Sequence, residues 1–360
     1  MQALEDAVRP ALLRPPCVVS FSGGRDSSAV LAVATRLARK EGHPLPVPVT
    51  MRFQDAEDAE EAEWQELVIR HLGLRDWEKL ELVDELDLLG PISTGVLRRH
   101  GLLWPPNAYA HVVVMQRAAR GSLVTGIDGD GVFGTWRYSL LSQLRHAQVG
   151  PQRGHLRLAA TAVAPRSLRG RLLRRPVVRE TAWVTWLAAS AEQRFLELHL
   201  ADQASEPPSW ASRTAWLASR RYVRMAVSTL DLLGADTHTR VFHPLIEPAF
   251  LSSVALWGGR AGPGDRTRAM EKLFGDLLPA AVVARRTKAV FNGAFWRSAT
   301  ESFVRQWAGG GVDPALVDTR QLERVWKSGT PTFGTALLAQ QAWLATAGHG
   351  GSAGTVGASE

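Results

Sequence analysis

The sequence predicts an α/β protein: a parallel sheet with helices on both faces, followed by a mostly helical C-terminal region. Three observations carry that expectation. An apolar run at residues 17–21 ends in a glycine-rich turn and passes at once into a segment of helical periodicity. Strand-like segments then alternate with helical ones as far as residue 126, the arrangement of parallel strands joined by crossover helices. Beyond residue 180 the apolar spacing is helical and strand signals are scarce.

Residues 1–16 are too short to form a domain. The first strand, CVVSF, runs into Ser22-Gly23-Gly24-Arg25-Asp26-Ser27 and then into AVLAVATRLARK. Two glycines let the backbone pass close to a ligand, and the amides and positive dipole end of the following helix face an anion. Asp26, a carboxylate among groups suited to phosphate, fits a hard cation such as Mg²⁺ that bridges phosphate oxygens. The loop has neither the Gly-Lys-Ser/Thr ending of a Walker A loop nor the GxGxxG of a dinucleotide site. VPVTMRF (47–53) is the second strand, and DAEDAEEAEWQELVIRHLGL reads as an acidic-headed amphipathic helix that stops at Gly73. WEKLELV (77–83) is the third strand, residues 107–120 form a helix after Pro105-Pro106, and SLVTG (122–126) is the fourth strand. Ligands of such sheets sit beyond the C-terminal strand ends, where the first turn falls.

Four later segments carry helical spacing: TAWVTWLAASAEQRFLELHL, SRTAWLASRRYVRMAVSTLDLLG, residues 314–327 and residues 333–346. Between the halves lie nine arginines and no acid from Arg145 to Arg179. Such a block suits RNA, an acidic peptide or a polyphosphate, or is a solvated, mobile loop; it holds no aromatic side chain on which bases would stack. The expected organisation is a nucleotide-binding α/β core at 1–144, an arginine-rich crossing at 145–179, a mainly helical region at 180–345 and a disordered tail at 346–360. With 45% hydrophobic and 21% charged residues and a net charge of +7, the 360-residue chain has the composition of an ordinary soluble protein. Its single cysteine, Cys17, excludes an internal disulfide and a cysteine-rich zinc site. No apolar run approaches the ~20 residues of a membrane-spanning helix. Acids occupy the start, where a signal peptide is basic, so a cytoplasmic location is expected.

After the fourth strand comes Thr125-Gly126-Ile127-Asp128-Gly129-Asp130-Gly131-Val132-Phe133-Gly134. This stretch resembles the G-x-G-(G/A/S)-D-E-(V/L)-F-G segment of the asparagine synthetase family, whose synthetase domain also opens with S-G-G-x-D-S. That opening resembles the pyrophosphate loop, or PP-loop, of the ATP pyrophosphatase superfamily, with its adenine nucleotide alpha hydrolase-like fold. HPLIEPAFL (243–251) is similar to the family's P-F-L-D block, and LLPAAVVARRTKAVFNGAF (277–295) to its L-P-x-x-(I/V)-x-x-R-x-K-x-x-F block. The resemblance implies an ATP-dependent, AMP-forming carbon–nitrogen ligase: a carboxylate is adenylated with loss of pyrophosphate, and an amine then displaces AMP. It implies Mg²⁺ on Asp26 and Asp130, phosphates on Ser22, Gly23, Gly24 and Ser27, and nucleotide contacts at Met51 and Gly126. Lys288 would stabilise negative charge on pyrophosphate and on the tetrahedral intermediate.

The departures from the family pattern are informative. The family's base falls on Ile127, which accepts no proton; Asp128 replaces a glycine and reads either as a surrogate base or as a turn residue tolerant of left-handed geometry. Glu180 is a further candidate to assist a base, Gly131 replaces the Glu that follows the metal Asp, and Arg240 stands where an acid precedes the P-F-L-D block. Position 2 is Gln, not the catalytic Cys of a glutaminase domain, so the expected amine comes from the substrate itself, a second substrate or a partner subunit. That is the practice of the β-lactam synthetase and lasso-peptide macrolactam synthetase branch, and it points to natural product biosynthesis. Two alternatives remain: the synthetase subunit of a split glutamine-dependent amidotransferase, and a non-catalytic scaffold descended from a synthetase. Expected partners are a small molecule or peptide bearing a carboxylate and an amine, with the arginine block as a candidate dock for a precursor peptide or partner protein. Neither a membrane nor a nucleic acid is expected.

Overall fold

The computed structural model describes residues 1–54, 61–134, 136–287, 291–328 and 333–350, which gather into two compact units. The first comprises Met1–Leu82, His111–Arg169 and Ser205–Ala289; the second comprises Val83–Ala110, Gly170–Ala204 and Val290–Glu360.

A five-stranded parallel sheet organises the first unit: β1 Cys17–Ser20, β2 Val47–Phe53, β3 Glu78–Leu82, β4 Ser122–Val124 and β5 Arg240–Phe242. Their order across the sheet is β3-β2-β1-β4-β5, so β1 is central, with Val18 in register with Val47 on one side and Leu123 on the other. β1 and β4 are apolar and buried almost without interruption, as strands covered on both faces must be. The chain leaves β1 toward β2 and later returns to the other side of β1 as β4. This reversal opens a crevice at the C-terminal ends of β1 and β4, the place where open α/β sheets bind ligands. The helix Arg25–Glu41 follows β1 and buries every residue from Ser27 to Thr35, which seats the first turn rigidly on the sheet. One core holds Val19, Leu31, Val124, Phe133, Trp210 and Phe274. Phe133 meets Phe250 and Phe274 edge-on at 6.3 and 5.9 Å, and burial of a ring of this kind contributes about 2–3 kcal/mol.

The fifth strand is absent from the sequence reading, because three residues on a sheet edge are too short to show a period. Its pairing of Val124 with Phe242 places His243 just past the strand end. The fourth strand stops at Val124, two residues earlier than expected, where the backbone turns. Residues 212–234 form two helices, Trp210–Ala218 and Arg221–Asp236. The arginine-rich stretch is helical: Arg153–Val163 and Arg166–Glu180 exploit the good helix propensity of Arg, Leu and Ala. Arg169 is buried and donates to the carbonyls of Thr161, Ala164 and Glu206, so it caps the end of the first of these helices; the other eight arginines of the block are exposed.

The second unit is helical, with Pro91–His100, Ser298–Gln306, Thr319–Lys327 and Ala336–Gly350 among its elements. Buried Asp87 accepts from the backbone N–H groups of Ala299 and Thr300 and so caps Ser298–Gln306 from a distant part of the chain. Trp307 and Trp326 pack edge-on at 4.6 Å, and Leu173, Val177 and Ala204 form a smaller cluster. The last helix runs to Gly350, past the residue where a tail was expected to begin. Among the described residues no helix is long and apolar enough to cross a membrane.

Candidate active site

The first turn is a closed hydrogen-bond ring. Ser22 Oγ lies 3.1 Å from Ser27 Oγ and accepts from the Gly24 N–H, while Ser27 Oγ donates to the Gly24 carbonyl at 3.1 Å. Gln65 Nε2 donates to the Ser22 carbonyl at 3.2 Å and holds the turn from the side. Gly23 has φ +85°, a left-handed conformation that a residue with a Cβ could not adopt cheaply. From beneath, Arg285 Nη1 donates to the Gly23 carbonyl at 3.4 Å while its Nη2 meets Glu61 Oε1 at 2.5 Å; this pair is almost wholly buried, and the guanidinium also lies over the Trp64 ring.

The second turn, Gly126 to Asp130, presses against the first. A Cβ at Gly126 would lie 2.8 Å from the Ser27 nitrogen, and one at Gly129 would lie 2.3 Å from the Asp26 carboxyl carbon. Only glycine at 129 lets the Asp26 carboxylate sit over the start of the short helix Gly129–Phe133. Asp128 has φ +57° and folds its carboxylate onto Gly131, where a Cβ would lie 2.6 Å from both oxygens. The two departures from the family pattern at 128 and 131 are therefore one steric event: the Asp128 carboxylate fills the space that any side chain at 131 would need. Arg213, itself buried, donates to the Gly131 carbonyl at 2.6 Å and pairs with buried Glu206 at 3.3 Å.

Asp26 and Asp130 are brought together, and a cation group lies between them. Arg266 Nη2 contacts both Asp26 oxygens at 2.8 Å, and its Nη1 is bonded to Asp130 Oδ1. Burial raises the Asp26 carboxyl above its ordinary range; Arg266 opposes that and Asp130 adds to it. Burial likewise pushes Asp128 up to about 6, with Arg213 opposing and Asp130 and Asp26 reinforcing. Asp128 Oδ2 is buried and has no hydrogen-bond partner among the described residues. His243 Nδ1 lies 2.7 Å from Thr125 Oγ1 at the start of this turn, and burial, aided by His111, holds its imidazole down to about 4.

Sequence reasoning missed Arg266, although a signal existed. It opens the helix Arg266–Phe274 behind the N-cap Asp265, and a cation in a first helical turn opposes the dipole unless it serves another partner. Beside it lies a cavity of about 250 Å³ lined by Phe133, Trp136, Trp210, Ser139, Gln143 and Arg266, among others. Met51 is in β2, in register with Leu80 of β3. Glu180 is exposed at the end of its helix and belongs to the second unit. Lys288 lies outside the described residues; Thr287, immediately before it, accepts from Arg285 Nε at 3.0 Å.

The chain matches the asparagine synthase family over residues 1–347. No curated protein matches it. A glycine-serine turn and an aspartate turn, facing each other at the ends of β1 and β4 within a match that covers nearly every residue, lead to one conclusion: the chain belongs to the asparagine synthase family of ATP-dependent ligases.

Proposed function

We propose that the protein is a Mg²⁺-dependent, AMP-forming carbon–nitrogen ligase that adenylates a substrate carboxylate and joins it to an amine other than glutamine-derived ammonia, in the making of a specialised metabolite or a peptide macrolactam. The observation that carries this reading is the Asp26–Asp130 pair, which holds a single cation group at the switch point of the sheet. Two carboxylates suit Mg²⁺, which keeps waters and takes phosphate oxygens for its remaining positions. Bound there, the metal would neutralise charge on the polyphosphate.

In this reading Ser22, Gly23, Gly24 and Ser27 receive phosphates, and the edge of β2 at Met51 and the Gly126 backbone border the nucleotide. The substrate carboxylate oxygen attacks the α-phosphorus, the bond from that phosphorus to the bridging oxygen breaks, and pyrophosphate leaves. The amine nitrogen then attacks the acyl carbon, AMP leaves, and Asp128 takes the amine proton. An unpartnered, buried oxygen and a carboxyl shifted to about 6 support that role for Asp128. The aromatic-walled cavity beside Arg266 supports a substrate larger than ammonia. Lys288, in the R-x-K-x-x-F block, is assigned the stabilising of developing charge in this reading.

Release of pyrophosphate from ATP that depends on an added carboxylate tests the reading. Lys288→Ala is expected to abolish product while leaving ATP binding largely intact; unchanged turnover refutes its assignment. A second reading, a non-catalytic descendant, draws on the Arg266 guanidinium between the two carboxylates and on Ile127. Failure to bind ATP with Mg²⁺ would favour it.

A further inference from the structure

A second, larger cavity of about 570 Å³ lies in the first unit, on the far side of the loop that precedes Arg266. Three cations line it from three elements: Arg145 ends the helix Ser139–Arg145, Arg260 follows the helix Pro248–Gly258, and Lys272 stands in the last turn of Arg266–Phe274. No carboxylate lines this cavity, and none of the three cations forms an ion pair among the described residues. Trp257 forms part of the wall with its side chain 40% exposed, and Leu256 beside it is 84% exposed. The floor is firm. A Cβ at Gly258 would lie 2.5 Å from the Trp210 ring, and His146 Nε2 contacts the Gly262 carbonyl at 2.9 Å.

Like charges gathered around one cavity repel each other until an anion enters, and low-dielectric walls strengthen its attraction. Guanidinium groups favour carboxylate and phosphate oxygens equally well in this respect. What separates the two ligands is the apolar part of the wall: Trp257 offers surface that a polyphosphate leaves wet and a peptide side chain covers. The cations also stand on three separate elements, so they suit spaced carboxylates better than one compact ion.

We infer that this cavity is a docking site for an acidic peptide segment, whose carboxylates meet Arg145, Arg260 and Lys272 and whose apolar side chain packs on Trp257. Gly262 lines this cavity and packs against Trp136 and Trp210, which line the smaller cavity beside Arg266. A docked peptide is thereby held one loop away from the proposed reaction centre, yet the docking itself does not depend on the chemistry proposed there.

The test is fluorescence anisotropy on the full chain, with a labelled octapeptide of alternating Glu and Leu and its Gln-for-Glu counterpart. The acidic peptide is expected to bind at least ~10-fold tighter than the neutral one, and about 10-fold weaker when salt rises from about 50 to about 300 mM. Arg260→Gln, Lys272→Gln and Trp257→Ala are each expected to weaken it about 5–10-fold, with unchanged melting temperature and unchanged ATP binding, while Trp257→Phe restores most of the loss. Equal binding of the neutral peptide, indifference to all three substitutions, or displacement of the peptide by tripolyphosphate or a short RNA at lower concentration overturns the inference. Peptide binding by a chain that fails to bind ATP would leave the dock standing and remove the ligase reading alone.

Discussion

The two turns that meet at the sheet's switch point are built on opposite plans. In the first, Ser22, Gly24 and Ser27 satisfy one another and Asp26 has a partner at each oxygen, so the turn is locked without any ligand. In the second, glycines admit neighbouring groups at distances no other residue allows, Asp128 takes a left-handed backbone, and one of its oxygens has no partner among the described residues. A locked turn suits a ligand that is always the same, whereas an unsatisfied carboxylate is a group reserved for something that arrives. The difference teaches where an incoming group finds an open hydrogen-bonding position: at Asp128, folded over Gly131, and not in the loop that precedes Arg25–Glu41.

The largest effect is expected where the two turns touch. Gly129→Ala drives a methyl into the Asp26 carboxylate and should weaken binding of ATP with Mg²⁺ by ~100-fold or more, measured by calorimetry. Undiminished affinity would mean that the turns do not share a ligand. Within the second turn, Gly131→Ala should cost about 1–3 kcal/mol in urea unfolding, because its methyl meets the folded-over Asp128. Adding Asp128→Gly to the same chain should restore most of that loss; strictly additive effects would break the link drawn between the two positions.

An effect of similar size, set by pH, is expected from His243, which borders the second turn. Burial keeps it neutral well below its ordinary value near 6.5, so the unfolded chain binds a proton that the folded chain refuses between that pH and about 4. Stability should be full above pH 6.5 and fall by about 2–3 kcal/mol as pH drops to about 4, and His243→Asn should flatten the curve. Smallest is Cys17, at the base of the first turn's strand, buried and with a thiol pushed up to about 12. It should resist a maleimide in the native protein and react at once in urea; native reactivity would show that the strand under the locked turn opens.

Much of this was legible in the chain itself. β1 and the S-G-G-R-D-S turn announced themselves because the local pattern and the tertiary demand agree: apolar strand, glycine turn, apolar-faced helix. β5 was not legible, since Arg240–Phe242 becomes a strand only through its pairing with β4. The partners of Arg266 were hidden for a related reason, because those carboxylates stand 240 and 136 residues away and no local spacing reveals them. The arginine block differs again. Charge density left a solvated loop among its readings, whereas the backbone is helical and Arg169 turns inward to close a helix end.

The buried pair of Glu61 and Arg285 has a consequence for how the ligase region must move. Arg285 grips the carbonyl of Gly23 with one arm and Glu61 with the other, and stripping either partner from such a pair costs about 3–5 kcal/mol. The segment that ends at Thr287 and the first turn therefore share one fastening. Any displacement of Arg285 pulls on Gly23 and Glu61 at once, and the two can shift only as a single mechanical part.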